Sequence, residues 1–191
     1  MLGLTGSIGM GKSTVAAMFE RAGIPVFDAD AEVRAMQGPS GALLPEIEAA
    51  FPGLTGPDGV KREALGQMVF GDKDQLARLE AIVHPAVAAK RAQFLQTNQN
   101  AAMLLFDIPL LFERGGESGF SAVIVVSAPA AVQRERVLAR PGMTEEKFAD
   151  ILRLQVLDAE KRARADHVID TGTSLAETEA QVRALIAHLA A

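Results

Sequence analysis

Residues Gly6-Ser7-Ile8-Gly9-Met10-Gly11-Lys12-Ser13 match the spacing G-x-x-x-x-G-K-[ST] at every fixed position. Chance alone would produce such a match in roughly one chain of this length in a hundred. The flanks narrow the reading further. The short apolar run Leu2–Thr5 precedes the loop, and a helical pattern over 12–22 follows it, with Val15, Met18 and Phe19 at helical spacing. In a strand–loop–helix unit of this kind, the glycines let successive N–H groups converge on phosphate oxygens. A helix starting near Lys12 adds the positive end of its dipole. Lys12 is expected to reach the β- and γ-phosphates of a nucleotide and the Ser13 hydroxyl to ligate Mg²⁺. The competing reading is an ordinary Gly-rich turn with Lys12 in water. The loop names a nucleotide and leaves the reaction open, because switches, motors and small-molecule kinases all share it.

The rest of the chain alternates short apolar runs with helical patterns. Runs at 24–27, 101–106, 122–126 and 167–169 are apolar without a break, as suits strands covered on both faces of a parallel sheet. Leu175–Leu189 reads as an amphipathic closing helix, capped by Thr173 or Ser174. Residues 31–98 break the alternation. They are mostly helical in pattern, with Pro/Gly punctuation at 38–41 and at 52–59, the latter expected to be a solvent loop. The expected organisation is one α/β domain over 1–191. Its core spans 1–30 and 100–191, a helical substrate-binding insert spans about 31–98, and a lid spans about 134–160.

Composition removes several classes. The absence of Cys excludes a disulfide framework, a Cys-ligated zinc site and an iron–sulfur cluster. Three His at 84, 167 and 188 are too scattered to suggest a metal centre. A net charge of -5 argues against nucleic acid as a partner. No run approaches the ~18 apolar residues of a membrane span, and the N-terminal residues lack a signal-peptide pattern, so a cytoplasmic protein is expected.

Carboxylates at predicted strand ends are the candidates for chemistry. Asp28 and Asp30 stand where the second strand should end, the position at which open α/β sheets bind ligands. One of them can cap the following helix while the other serves an attacking hydroxyl. Asp107, after the third run, can support Mg²⁺ through water or simply initiate the turn before Ile108-Pro109. His84-Pro85 lies in the insert, with Pro85 expected at the first position of a helix. Eight of the 19 basic residues fall between Arg134 and Arg164. Arg136 and Arg140 share a helical face, which suits a flap carrying cations over phosphates. Neighbouring acidic residues also allow a merely solvated helix pair.

Taken together, these motifs resemble the dephospho-coenzyme A kinase family. The resemblance rests on Leu4–Thr14, Asp28-Ala29-Asp30 with Arg34, His84-Pro85, and Pro109-Leu110-Leu111-Phe112-Glu113. Gln133 with Arg136 and Arg140, and Gln155, Lys161 and the segment Ala165 to Asp170, complete it. It implies a three-layer phosphate-loop NTPase fold with a parallel five-stranded sheet of order 2-3-1-4-5. It also implies ATP and dephospho-coenzyme A as substrates, with the γ-phosphate passing to the ribose 3′-hydroxyl. By the same resemblance, Gly9, Met10, Gly11, Lys12, Ser13, Thr14 and Arg140 bind ATP, and Asp30, Lys12 and Arg140 are catalytic. Asp30, Arg34, His84 and Leu110 face the acceptor. Mg²⁺ would sit on Ser13, with Asp28 or Asp107 reached through water. A monomer or weak homo-oligomer is expected. Pro141-Gly142 follows Arg140 where the family often has an acidic residue, and Asp170-Thr171-Gly172 stands where an Asn is usual. Another small-molecule or nucleoside monophosphate kinase is the nearest alternative, and a nucleotide-dependent switch a more distant one.

Overall fold

A computed structural model of the chain describes residues 1–190. In chain order the elements are β1 (Leu2–Thr5), α1 (Lys12–Arg21), β2 (Val26–Asp28), α2 (Ala29–Met36), α3 (Leu44–Ala50), β3 (Thr55–Gly56), β4 (Gly59–Val60) and α4 (Arg62–Val69). They continue with α5 (Lys73–Thr97), β5 (Leu105–Asp107), β6 (Ala122–Ser127), α6 (Ala130–Leu138), α7 (Glu145–Arg153), α8 (Asp158–Arg164), β7 (His167–Asp170) and α9 (Leu175–Leu189). The chain divides into two compact units, Met1–Phe27 with Asn100–Ala191, and Asp28–Gln99.

The first unit is built on a five-stranded sheet of order β2-β5-β1-β6-β7. Counting only these strands, the order is 2-3-1-4-5, as the resemblance implies. β1 pairs in parallel with β5 (Leu2↔Leu105) and with β6 (Leu2↔Ala122), and β6 pairs in parallel with β7. The unbroken apolar runs have the expected cause. Ile124 and Val126 of β6 pack with Leu4, Val15, Phe19 and Val182, while Val123 and Val125 pack with Leu111 and Phe112 on the opposite face. α9 begins at Ser174, whose hydroxyl and Glu177 form a reciprocal capping box. The run at 101–106 is shorter as a strand than its apolarity suggests, since only Leu105–Asp107 joins the ladder.

The second unit is helical around Met36, Leu43, Ile47, Phe51 and Leu65, with Val60 from a small hairpin. Two expectations are corrected here. The segment 52–59 is not wholly a solvent loop, because β3 and β4 pair antiparallel (Thr55↔Val60) across Pro57-Asp58. The hairpin forms because Val60 is buried and its N–H reaches the Gln37 carbonyl at 2.8 Å. Pro85 does not start a helix. It lies inside the 25-residue α5. Leu79, Ile82, Val83, Ala86 and Val87 form an apolar stripe that runs past it. Pro85 itself is on the exposed side, where water can serve the carbonyl that loses its N–H partner.

Candidate active site

The phosphate loop connects β1 to α1 and ends in an uncapped helix. Gly11, the N-cap, is left-handed (φ 83°) and has no side chain to satisfy the first turn, so the leading N–H groups of α1 remain available to an anion. Gly9 is also left-handed (φ 77°), and a Cβ there would lie 2.5 Å from Val137 Cγ2. Both positions therefore need glycine for conformation, and Gly9 for space as well.

Side chains from distant parts of the unit hold the loop in shape. Gln133 of α6 donates from Nε2 to the Ile8 carbonyl at 2.8 Å, and the Ile8 N–H donates to Gln155 Oε1 at 3.0 Å. The Thr171 hydroxyl donates to the Met10 carbonyl at 2.8 Å. Arg136 in turn donates to the Thr171 carbonyl at 2.6 Å. Sequence reasoning gave Gln133 and Gln155 no role beyond their place in a family pattern, and noted Thr171 only within a departure from that pattern. A side-chain contact to a backbone group 147 residues away along the chain leaves no local spacing to read.

The loop surrounds a cleft of about 400 Å³, lined by residues from Gly6 to Thr14 and by Pro109, Arg140, Ile151 and Gln155. Lys12 Nζ is ion-paired with Asp107, which is only 3% exposed at the end of β5. The pair holds the lysine at the cleft with its charge compensated. A second cavity of about 350 Å³ shares Gly9, Gly11, Thr14 and Arg140 with the cleft and extends to Arg136, Thr171, Thr173, Leu175 and Thr178. Part of the basic cluster is ion-paired: Arg134 with Glu145, Arg153 with Asp150, and Arg164 with Glu117 and Glu160. Arg140 has no ion pair among the described residues and lines both cavities.

Below the cleft lies a buried charge pair. Lys161 of α8 is fully buried, with Nζ 2.8 Å from Glu113 Oε1. The same oxygen accepts the Val156 N–H at 2.9 Å. Burial alone would raise the Glu113 carboxyl, but Lys161 and the backbone N–H groups outweigh it and hold the carboxyl below its usual range.

The remaining expected site residues lie on the second unit, apart from Leu110, which is half-buried after β5. Asp28 caps α2, accepting from the Ala31 N–H at 2.9 Å, and lies 3.6 Å from Arg34. Asp30, in the first turn of α2, is exposed and is not the cap. His84 is exposed on α5.

A family model described as dephospho-CoA kinase matches residues 1–177. The chain belongs to the dephospho-CoA kinase family. It is 67% identical over 186 residues to a dephospho-CoA kinase of Novosphingobium aromaticivorans, covering 97% of this chain and 92% of the relative. A dephospho-CoA kinase of Mesorhizobium japonicum is 53% identical over 191 residues, covering 99% and 96% of the two chains. Among solved structures, a Thermus thermophilus protein superposes with a TM-score of 0.77 at 38% identity, covering 98% of this chain and 96% of that one. The dephospho-CoA kinase family membership makes this chain a phosphotransferase.

Proposed function

We infer that the chain carries out the ATP-dependent phosphorylation of dephospho-coenzyme A, giving coenzyme A and ADP, in coenzyme A biosynthesis. The family match over residues 1–177 carries this reading. The roles of individual residues are our proposal. Gly9, Met10, Gly11, Lys12, Ser13 and Thr14 hold the phosphates of ATP through backbone N–H groups and the Lys12 ammonium. Arg140 lines the cleft with no ion-pair partner among the described residues, which supports its role as the cation that meets the transferring phosphoryl group. The second cavity, with apolar Leu175 beside three threonines and Arg136, suits the adenosine.

On the acceptor side, Asp30 orients the ribose 3′-hydroxyl and takes its proton, with Arg34, His84 and Leu110 binding the rest of the molecule. With Asp28 engaged at the cap, the exposed Asp30 carboxylate is the one left to work. Residues 134–160 act as a lid that excludes water.

Mg²⁺ fits the donors present. Among the described residues no cluster of three or more His or carboxylate ligands could hold a metal alone. That suits an ion held mainly by nucleotide phosphates and water, with Ser13 as protein ligand and Asp28 or Asp107 reached through water. Bound there, it would neutralise charge on the β- and γ-phosphate oxygens. We place the enzyme in the cytoplasm, as a monomer or weak homo-oligomer without nucleic-acid partners. No described helix is long and apolar enough to cross a membrane.

The test is ADP release from ATP and Mg²⁺ with and without dephospho-coenzyme A, with the product weighed. Acceptor-dependent release and a product one phosphate heavier are expected. ATP binding without acceptor stimulation would sink the acceptor assignment.

A further inference from the structure

We propose that Gln155 donates a hydrogen bond from its carboxamide NH₂ to the terminal phosphate of the bound nucleotide, so that it distinguishes ATP from ADP. The proposal rests on the reading of the cleft as the ATP site.

The orientation of the carboxamide is determined by its neighbour. The Ile8 N–H, 3.0 Å away, can be met only by the carbonyl oxygen, so Oε1 faces the loop and Nε2 occupies the other branch. Among the described residues that NH₂ has no hydrogen-bond partner, and Gln155 lines the cleft. A polar donor fixed by its own acceptor atom and open to a phosphate site is placed to receive an anionic oxygen.

Its position along the nucleotide follows from the two cavities. Gly9, Gly11, Thr14 and Arg140 border both, and so mark their junction. Gln155 and Pro109 border only the first cleft, away from Leu175 and the cavity suited to the base. That end of the site receives the last phosphate.

Gln155 is also held from behind. The next residue, Val156, donates its N–H to Glu113 Oε1 at 2.9 Å, and that oxygen is fixed by fully buried Lys161. The Ile8 peptide is secured on its other side by Gln133. The donor thus needs little reordering when the phosphate arrives.

Gln155→Glu separates donation from loop support. It keeps the chain length and an acceptor for the Ile8 N–H, but it puts a carboxylate oxygen where the donor stood. Gln155→Leu removes both functions. Binding of ADP and of the non-hydrolysable β,γ-imido analogue of ATP would be measured by calorimetry, with thermal unfolding alongside. For Gln155→Glu we expect analogue affinity to fall roughly 10- to 100-fold. ADP affinity should stay within about threefold and Tm within about 2 °C. For Gln155→Leu, both nucleotides should weaken. Equal weakening of ADP and analogue by Gln155→Glu, or no weakening of either, would overturn the proposal. Wild-type protein that binds neither nucleotide would overturn it together with the nucleotide site. Wild-type protein that binds both but shows no acceptor-dependent turnover would sink only the acceptor reading, and the ADP-to-analogue ratio would still decide Gln155.

Discussion

The Lys161–Glu113 pair supports an energetic test because its two ends would be left in different surroundings. Lys161 is 0% exposed, whereas the Glu113 side chain is 12% exposed and also accepts the Val156 N–H. Glu113→Leu would strand an ammonium with neither carboxylate nor water, a loss of about 3–5 kcal/mol for a broken buried pair. In a domain of ~190 residues each kcal/mol moves Tm by about 2–4 °C, so a fall of roughly 6–20 °C is expected. Lys161→Met leaves the carboxylate the Val156 N–H as donor, and should cost nearer to the ~1–3 kcal/mol of an imperfectly satisfied polar group. The double variant places two apolar side chains in the same space, and such replacements are commonly neutral or stabilising. Its stability should therefore return close to wild type, giving a coupling of at least about 2 kcal/mol in a double-mutant cycle followed by urea unfolding. The pH dependence has a definite sign. The folded-state carboxyl of Glu113 is depressed, so the pair's contribution is present above the unfolded carboxylate range and is lost as pH falls through the folded value. The double variant should lack that part of the acid sensitivity. If the single costs simply add, with a coupling below about 0.5 kcal/mol, the pair contributes no mutual stabilisation and this reasoning fails. Should Glu113→Leu not fold, recovery of folding in the double variant makes the same point.

Two further substitutions test the site. Asp30→Asn should keep its fold and ATP affinity while kcat falls roughly 10²–10⁴-fold in steady-state assays; a change of only a few-fold would remove Asp30 as the base. Gly9→Ala should weaken ATP binding at least about 10-fold, because its Cβ meets Val137 Cγ2 at 2.5 Å and its φ is 77°. Adding Val137→Ala relieves the collision but leaves a backbone cost of about 1–2 kcal/mol, so calorimetry should find only partial recovery; full recovery would mean that the backbone conformation carries no cost.

Local chemistry was the legible part of the sequence. The phosphate loop, the strands buried on both faces and the Ser174 cap each write their requirement into consecutive or regularly spaced residues. Pro85 misled because its local rule, that proline begins helices, yields to a stripe of apolar residues extending beyond it on both sides. The short β3–β4 hairpin was hidden by the turn residues around it, and only the burial of Val60 reveals why it pairs. Within the site, Lys12, Arg140 and the glycines could be named from spacing or resemblance. The contacts that shape the loop could not. Gln133, Gln155 and Thr171 reach backbone atoms of Ile8 and Met10, and an acceptor of that kind carries no residue type of its own. The ion partner of Lys12 was similarly obscured, since Asp107 at a strand end reads equally well as turn former, metal support or counter-ion.

The sheet order has a consequence for how the chain is made. β1 lies at the centre of the sheet, yet its partners are β5 and β6, with Leu2 opposite Leu105 and Ala122. The second unit, Asp28–Gln99, is complete before either partner strand has been synthesised. At about 5–20 residues per second, β1 waits roughly 5–20 s for its partner strands to follow it, with its hydrogen-bonding edges unmatched. Closure of the central ladder is thus a late event of high contact order, and the helical segment between its strands has the time and the local contacts to collapse first.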